Sequence, residues 1–225
     1  MALSRAALWA SRLRTIHPGS ATKASVWVAS SPGGAVLVKD VAPMHPLFRV
    51  IHGRRVLARE ERALAALAGA PGVPRLVARV DRDALAMEQL DAEPLRRHLD
   101  PRRLRCALAQ LSERVAGLHA RGVVHLDLRQ KRNILVGVGG DAYLVDFQSA
   151  LVLGTDGWRG VLFRRLKRID EGAVLKFKAR YAPDLLDADE LKQARRAERW
   201  LRLWVFHRFG PLLRALFGKR RSRSP

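Results

Sequence analysis

The stretch that most restricts what this chain can become is Val123–Val136, VVHLDLRQKRNILV. An apolar pair leads in, His125 and Asp127 follow, a basic run reaches Asn133, and Ile134, Leu135 and Val136 lead out as a strand. A polar loop is thereby held between two apolar runs. Its order of side chains is the one a phosphoryl-transfer loop needs: an Asp to reach an acceptor hydroxyl, and an Asn a few residues on to turn back toward a metal ion. A plain polar turn between strands shares this outline, so the decision rests on what the remaining sequence supplies.

The N-terminal part supplies strands and a lysine. Leu13–Ile16 begins a first strand, and HPGSATKAS (His17–Ser25) reads as a loop. Ser25–Ala29 forms a strand, Ser31-Pro32-Gly33-Gly34 a turn, and Ala35–Val38 a further strand that ends at Lys39. Small residues such as Gly19 and Ser20 let backbone N–H groups approach phosphate oxygens. Lys39 then offers a point charge to the α- and β-phosphates of a nucleotide. Arg54–Leu67 reads as a helix, with Val56, Leu57, Glu60, Leu64 and Leu67 recurring at spacings of three and four. Glu60 thus lies on the inward stripe, where an unpaired carboxylate is costly, and Lys39 is its candidate partner. The ordinary alternatives are a solvated strand-end lysine and a half-exposed glutamate paired with a surface arginine.

Gly69–Pro74 ends that helix, and Arg75–Val80 with Ala84–Glu88 reads as a hairpin around Asp81-Arg82-Asp83. Glu88–Pro94 is polar and punctuated, a linker between a small N-terminal lobe and a helical one. Met87 stands where the two meet, or is simply a core methionine; backbone groups of Glu88–Leu90, the Leu90 end included, are available to an adenine edge. Arg102–His119 is a long helix with Leu104, Leu108, Leu111, Val115 and Leu118 on one stripe, and His119 is a packed or capping histidine. Beyond the 123–136 stretch, Gly139-Gly140-Asp141 turns into Ala142–Val145, which delivers Asp146 across a hairpin from Asn133. Oxygen donors of this kind suit Mg²⁺ or Mn²⁺, completed by waters and nucleotide phosphates. The ordinary reading of Asp146 is a cap on the next turn.

In order and rough spacing, Lys39, Glu60, Asp127, Asn133 and Asp146 resemble the protein-kinase-like superfamily. The style is closest to its small bacterial branch, with the RIO-type and lipopolysaccharide-core (Kdo) kinases. The resemblance spans Gly19 to Ser149. GSATKASVW with PGGAVLVKD resembles the loop–strand–turn–strand–Lys arrangement, HLDLRQKRNILV the His-x-Asp…Asn-Ile-Leu loop, and YLVDFQSA stands where an Asp-Phe-Gly motif would be. This resemblance implies an α+β, two-lobed protein-kinase-like fold. A small N-terminal antiparallel β-sheet lobe with one key helix would occupy 1–89, a mainly helical C-terminal lobe 90–190, and a basic amphipathic segment 191–225.

The same resemblance implies an ATP-dependent phosphotransferase using ATP and Mg²⁺ (or Mn²⁺). Asp127 would orient or deprotonate the acceptor hydroxyl, Asn133 and Asp146 would hold metal, Lys39 would bind phosphate, Glu60 would hold Lys39, and His125 would brace the loop. Three departures accompany it. Asn133 follows Asp127 by six residues, one more than the family's usual spacing; Gln148 stands in place of Gly; and no Ala-Pro-Glu segment follows. The last predicts no activation loop switched by phosphorylation. The longer loop and Gln148 keep open an ATP-binding pseudokinase or scaffold, and the charge keeps open a basic membrane- or RNA-binding protein with no nucleotide site.

Composition narrows the partners. A chain of 225 residues can bury a sizeable core, and a net charge of +21 predicts attraction to phosphate-rich partners: nucleotides, nucleic acid or an anionic membrane. A single cysteine, Cys106, allows no intrachain disulfide and fits a reducing, cytoplasmic setting. MALSRAALWASRLRTI lacks the long apolar run of a secretory signal and reads as a short lead-in helix, with a transit peptide as the alternative. Arg159–Arg168 is a basic stretch, Glu171–Ala179 reads as helical, and Asp189–Phe209 places Trp200, Leu203, Trp204 and His207 on one face. That last segment either packs on the larger lobe or anchors the protein peripherally on the inner face of an anionic membrane. Nucleic acid ranks last as a partner, because no recognition motif accompanies the charge. The expected acceptor is a hydroxyl of an envelope sugar or lipid, or of a protein Ser/Thr.

Overall fold

A computed structural model describes residues 4–154 and 156–194, and the chain divides into two compact units, 1–174 and 175–225. The first unit opens with helix α1 (Arg5–Ala10), capped by Ser4. A five-stranded antiparallel sheet follows, in the order β1 (Arg12–His17), β2 (Ser25–Ser31), β3 (Gly34–Asp40), β5 (Ala84–Glu88), β4 (Leu76–Asp81). The chain is therefore α+β, as the sequence analysis expects.

Register assigns two faces to this sheet. Trp27 pairs with Val38 and Val38 with Ala86, so these three side chains share one face; Val26, Lys39 and Leu85 share the other by the same rule. On the first face the alanines of β5 leave room for the buried Trp27, and Leu8 of α1 closes the cluster. Arg5 fastens α1 there, forking onto both Asp81 oxygens at 2.7 and 3.0 Å and reaching Asp40 as well. The Asp81 carboxyl is pulled down to about 2, chiefly by its hydrogen bonds from Arg5. The lead-in segment is thus part of the sheet's core.

The second face meets a helical run in three parts: α2 (Pro46–Phe48), a π-helical turn (Arg49–Gly53) and α3 (Arg54–Ala66). Only α3 is legible as a helix from its spacing. The run sits close to the 41–44 turn after β3 because Gly53 has no side chain; a Cβ there would meet Met44 Sδ at 2.9 Å and Val41 Cβ at 3.1 Å. Leu57, Glu60, Ala63 and Leu64 form the buried stripe of α3.

Residues 88–94 do not form a plain linker. Ala92–Pro94 is a short strand, β6, which pairs with β8 (Ile134–Gly137); β8 in turn pairs with β9 (Ala142–Leu144). Helix α4 (Pro101–Ala120) begins with Asp100 as its cap and Pro101 in its first turn, and buries Leu104, Leu108, Leu111, Val115 and Leu118, the predicted stripe. β7 (Val123–Val124) pairs with β10 (Leu151–Val152), and α5 (Gly157–Tyr181) follows. The basic stretch at Arg159–Arg168 and the predicted Glu171–Ala179 helix are consecutive parts of this one helix.

In the second unit, the described residues include the end of α5, where the Phe177 and Tyr181 rings stack at 6.3 Å, a 3-10 turn at Pro183–Leu185 and helical residues 188–194. The aromatic face expected within Asp189–Phe209 lies outside the described residues. Among the described residues no helix is long and apolar enough to cross a membrane.

Candidate functional site

Lys39 is 8% exposed on β3, flanked in register by Val26 and Leu85. Its Nζ donates to Glu60 Oε1 at 2.6 Å and to Asp146 Oδ1 at 2.8 Å. The pairing inferred from the α3 stripe is therefore present, and Asp146 joins it. Burial is the strongest single influence on Lys39 and disfavours its charge, but the two carboxylates together hold its pKa above the ordinary value. Burial raises Glu60; Lys39 pulls it back, and the negative charge of Asp146 leaves the balance upward. Burial would raise Asp146 too, yet Lys39 outweighs it, by charge and by hydrogen bond, and keeps this carboxylate ionised.

The loop from His125 to Asn133 is braced at several points. His125 is fully buried; its Nε2 lies 3.0 Å from the Val145 carbonyl, and its Nδ1 is 3.4 Å from the Asp127 N–H. These contacts define a neutral imidazole that donates at Nε2 and accepts at Nδ1. The Val145 N–H donates to the Asn133 carbonyl at 3.0 Å, so both backbone polar groups of Val145, the residue before Asp146, tie back to the loop. A 3-10 turn at Lys131–Asn133 accommodates the six-residue spacing. Asn133 Nδ2 reaches the Asp127 carbonyl at 3.0 Å and Asp127 Oδ2 at 2.9 Å.

Among the described residues, the non-glycine positions with positive φ are Leu126 (66°) and Asp146 (68°). Both belong to this site. A left-handed leucine costs free energy that surrounding contacts must offset. The main contact comes from Asp170 on α5, a residue the sequence analysis did not single out. Its carboxylate, fully buried, accepts from the His125 N–H at 2.7 Å and the Leu126 N–H at 2.8 Å, with His119 Nε2 at 3.2 Å. Gln130 was also missed; its Nε2 donates to both Asp127 oxygens, at 2.8 and 2.9 Å.

Beside these groups lies a cleft of about 810 Å³, lined by Lys39, Met87, Glu88, Leu90, Asn133 and Asp146 among others. That volume suits a small-molecule ligand. Asp127 and Glu60 stand just behind the lining, in contact with Asn133 and Lys39. Gly19 and Ser20 do not line the cleft; from their loop His17, Thr22, Lys23 and Ala24 do. Gly19 serves the turn itself, at φ 85°, where a Cβ would meet the Ser25 nitrogen at 2.9 Å. The 88–90 backbone is also less available than expected. The Glu88 N–H donates to the Arg75 carbonyl at 2.9 Å and the Gln89 N–H to the Ala35 carbonyl at 3.3 Å. The Leu90 N–H has no acceptor among the described residues, while its carbonyl accepts from Gln89 Nε2 at 2.8 Å.

Asn133 and Asp146 fit a hard divalent cation in donor chemistry. Both line the cleft and carry side-chain oxygen, and Asp146 is kept ionised. Among the described residues no group of three His, Cys, Asp or Glu side chains forms a protein-only metal cage. A cation here would take its remaining oxygens from phosphates and water, as Mg²⁺ commonly does. Comparison of the sequence with protein-family models finds no match.

Burial sets the His125 pKa below its ordinary 6.5, against the pull of the Val145 carbonyl and the Asp170 charge. Between 6.5 and the lower folded value, the unfolded chain binds more protons than the folded one, so stability falls as pH drops through that window. The urea midpoint of the wild type is expected to fall more between about pH 7.5 and about pH 5.5 than that of His125→Gln. Equal slopes in the two proteins would contradict a neutral, buried His125.

Proposed function

We propose that this protein is an ATP-dependent phosphotransferase with a two-lobed, protein-kinase-like arrangement that moves the γ-phosphate to a hydroxyl. The single observation that carries the reading is the Glu60–Lys39–Asp146 chain, of which Lys39 and Asp146 line one cleft with Asn133, which touches Asp127. Four separated segments converge there in the order such chemistry needs.

In this reading Lys39 binds nucleotide phosphate while Glu60 fixes its position from behind. Asp127 accepts the acceptor's proton as the hydroxyl oxygen bonds to the γ-phosphorus and ADP departs. Gln130 and Asn133 hold the Asp127 carboxylate in one orientation, so little reorganisation is left for the reacting state. Asp146 and Asn133 would hold Mg²⁺ or Mn²⁺, which when bound neutralises phosphate charge. The Leu90 N–H is the donor in the 88–90 segment best suited to an adenine edge. The acceptor is an envelope sugar or lipid hydroxyl, or a protein Ser/Thr; the cytoplasmic face of a membrane suits the first.

The test is ADP release and label transfer from γ-labelled ATP by the purified chain, in Mg²⁺ and in Mn²⁺. Metal-dependent turnover supports the reading. Metal-dependent ATP binding without turnover, even with sugar, lipid and protein acceptors supplied, would favour a pseudokinase.

A further inference from the structure

The N-terminal half of α5 carries an exposed face that the phosphotransfer chemistry does not use. At 100° per residue, Trp158, Leu162, Arg165 and Ile169 fall on one line along the helix. The apolar members are open to solvent: Trp158 is 73% exposed, Ile169 41% and Leu162 36%, with Val161 beside them at 45%. Arg165 lies on this line, Arg168 flanks it and Arg164 follows further round on the same flank, and all three are exposed. No acid lies on the apolar line itself. Asp170, about 100° around the helix from Ile169, is fully buried, and Glu171 pairs with Lys167 at 3.3 Å.

We infer that this face of α5 docks on an anionic lipid bilayer. An aromatic-aliphatic stripe bordered by arginines is the composition of a helix lying in a membrane interface. The apolar side chains enter the acyl boundary, while the arginines meet lipid phosphates, each adding attraction on an anionic leaflet. A nucleic-acid surface would need the arginines but would leave the stripe of Trp158, Leu162 and Ile169 unexplained. The consequence for the site is geometric. Asp170 grips the His125 and Leu126 amides from the buried flank of the same helix, so docking would bring that loop within about one helix diameter, roughly 10 Å, of the lipid surface. The inference does not depend on phosphotransfer, because it is read without nucleotide.

The experiment is flotation of the full-length protein with vesicles of phosphatidylcholine alone, and of equal parts phosphatidylcholine and phosphatidylglycerol. Two triple variants accompany it: Trp158→Ser/Leu162→Ser/Ile169→Ser and Arg164→Gln/Arg165→Gln/Arg168→Gln. All six positions are exposed, so both variants should retain the wild-type thermal melt. Wild type is expected to bind the anionic vesicles and not the neutral ones. Removing the three arginines should lower the partition coefficient by roughly a hundredfold, and removing the apolar stripe by at least about tenfold. Absence of wild-type binding would overturn the inference. So would undiminished binding of both variants, which would move the membrane contact to another segment. Salt-sensitive RNA binding that is lost only in the arginine variant, with vesicle binding unaffected by either, would make the face a nucleic-acid surface instead.

Discussion

Replacing Asp146 by Asn is expected to lower phosphate transfer by about a thousandfold or more while the fold survives. Asn is among the few residues that tolerate the left-handed backbone, so the 68° φ at this position is retained. The carboxylate charge is not retained. Lys39 loses one of its two anionic partners, and the oxygen pair proposed to hold the cation loses its only formal charge. Asp127→Asn should cost a similar factor by a separate route, since an amide cannot accept the acceptor's proton. ADP formation at saturating ATP, measured beside thermal unfolding, checks both. A folded Asp146→Asn protein keeping more than about a tenth of wild-type turnover would contradict the assigned role.

Asp170→Ala is expected to destabilise the protein by about 4 kcal/mol, among the largest single effects available in this chain. The substitution removes the acceptor for two loop N–H groups, of which the His125 N–H is fully enclosed, and leaves Leu126 in its left-handed conformation without its main support. Asp170→Asn should fall between, because one of its two terminal atoms becomes a donor facing a donor. Urea unfolding measures the loss, and hydrogen exchange at the His125 and Leu126 amides localises it. A stability change below about 1 kcal/mol in Asp170→Ala would mean that water or another group replaces the carboxylate.

The parts of the site that could be read from sequence are those whose partners follow from local rules. Glu60 was placed by helical periodicity on a buried stripe, and a buried carboxylate needs a cation; Lys39 followed. Asn133 and Asp146 were placed by a hairpin whose turn, Gly139-Gly140-Asp141, is explicit in the residues. Asp170 was not legible, because it meets the loop 45 residues away from within a stretch that reads as basic. β6 was missed because Ala92-Glu93-Pro94 has neither alternation nor β-branched residues, and its pairing with β8 comes from tertiary context. The continuity of α5 was obscured by Gly157, Gly160 and Gly172, which weaken any helical reading. Gly19 carries a second reason for being glycine: beside the phosphate contact that a small residue in this loop suggests, the turn itself needs the left-handed backbone at φ 85°.

The central claim is that the Lys39 cleft binds a nucleotide with a divalent cation. Titration calorimetry of ATP into the purified protein, in Mg²⁺ and then in excess chelator, tests it most directly beside Lys39→Met. Methionine suits the neighbours Val26 and Leu85 and lets Glu60 take up a proton, so the variant should fold. The account predicts binding in Mg²⁺, its loss in chelator, and a Kd at least about tenfold weaker for Lys39→Met. No ATP binding by the wild type, or an affinity unchanged by the substitution, would contradict it.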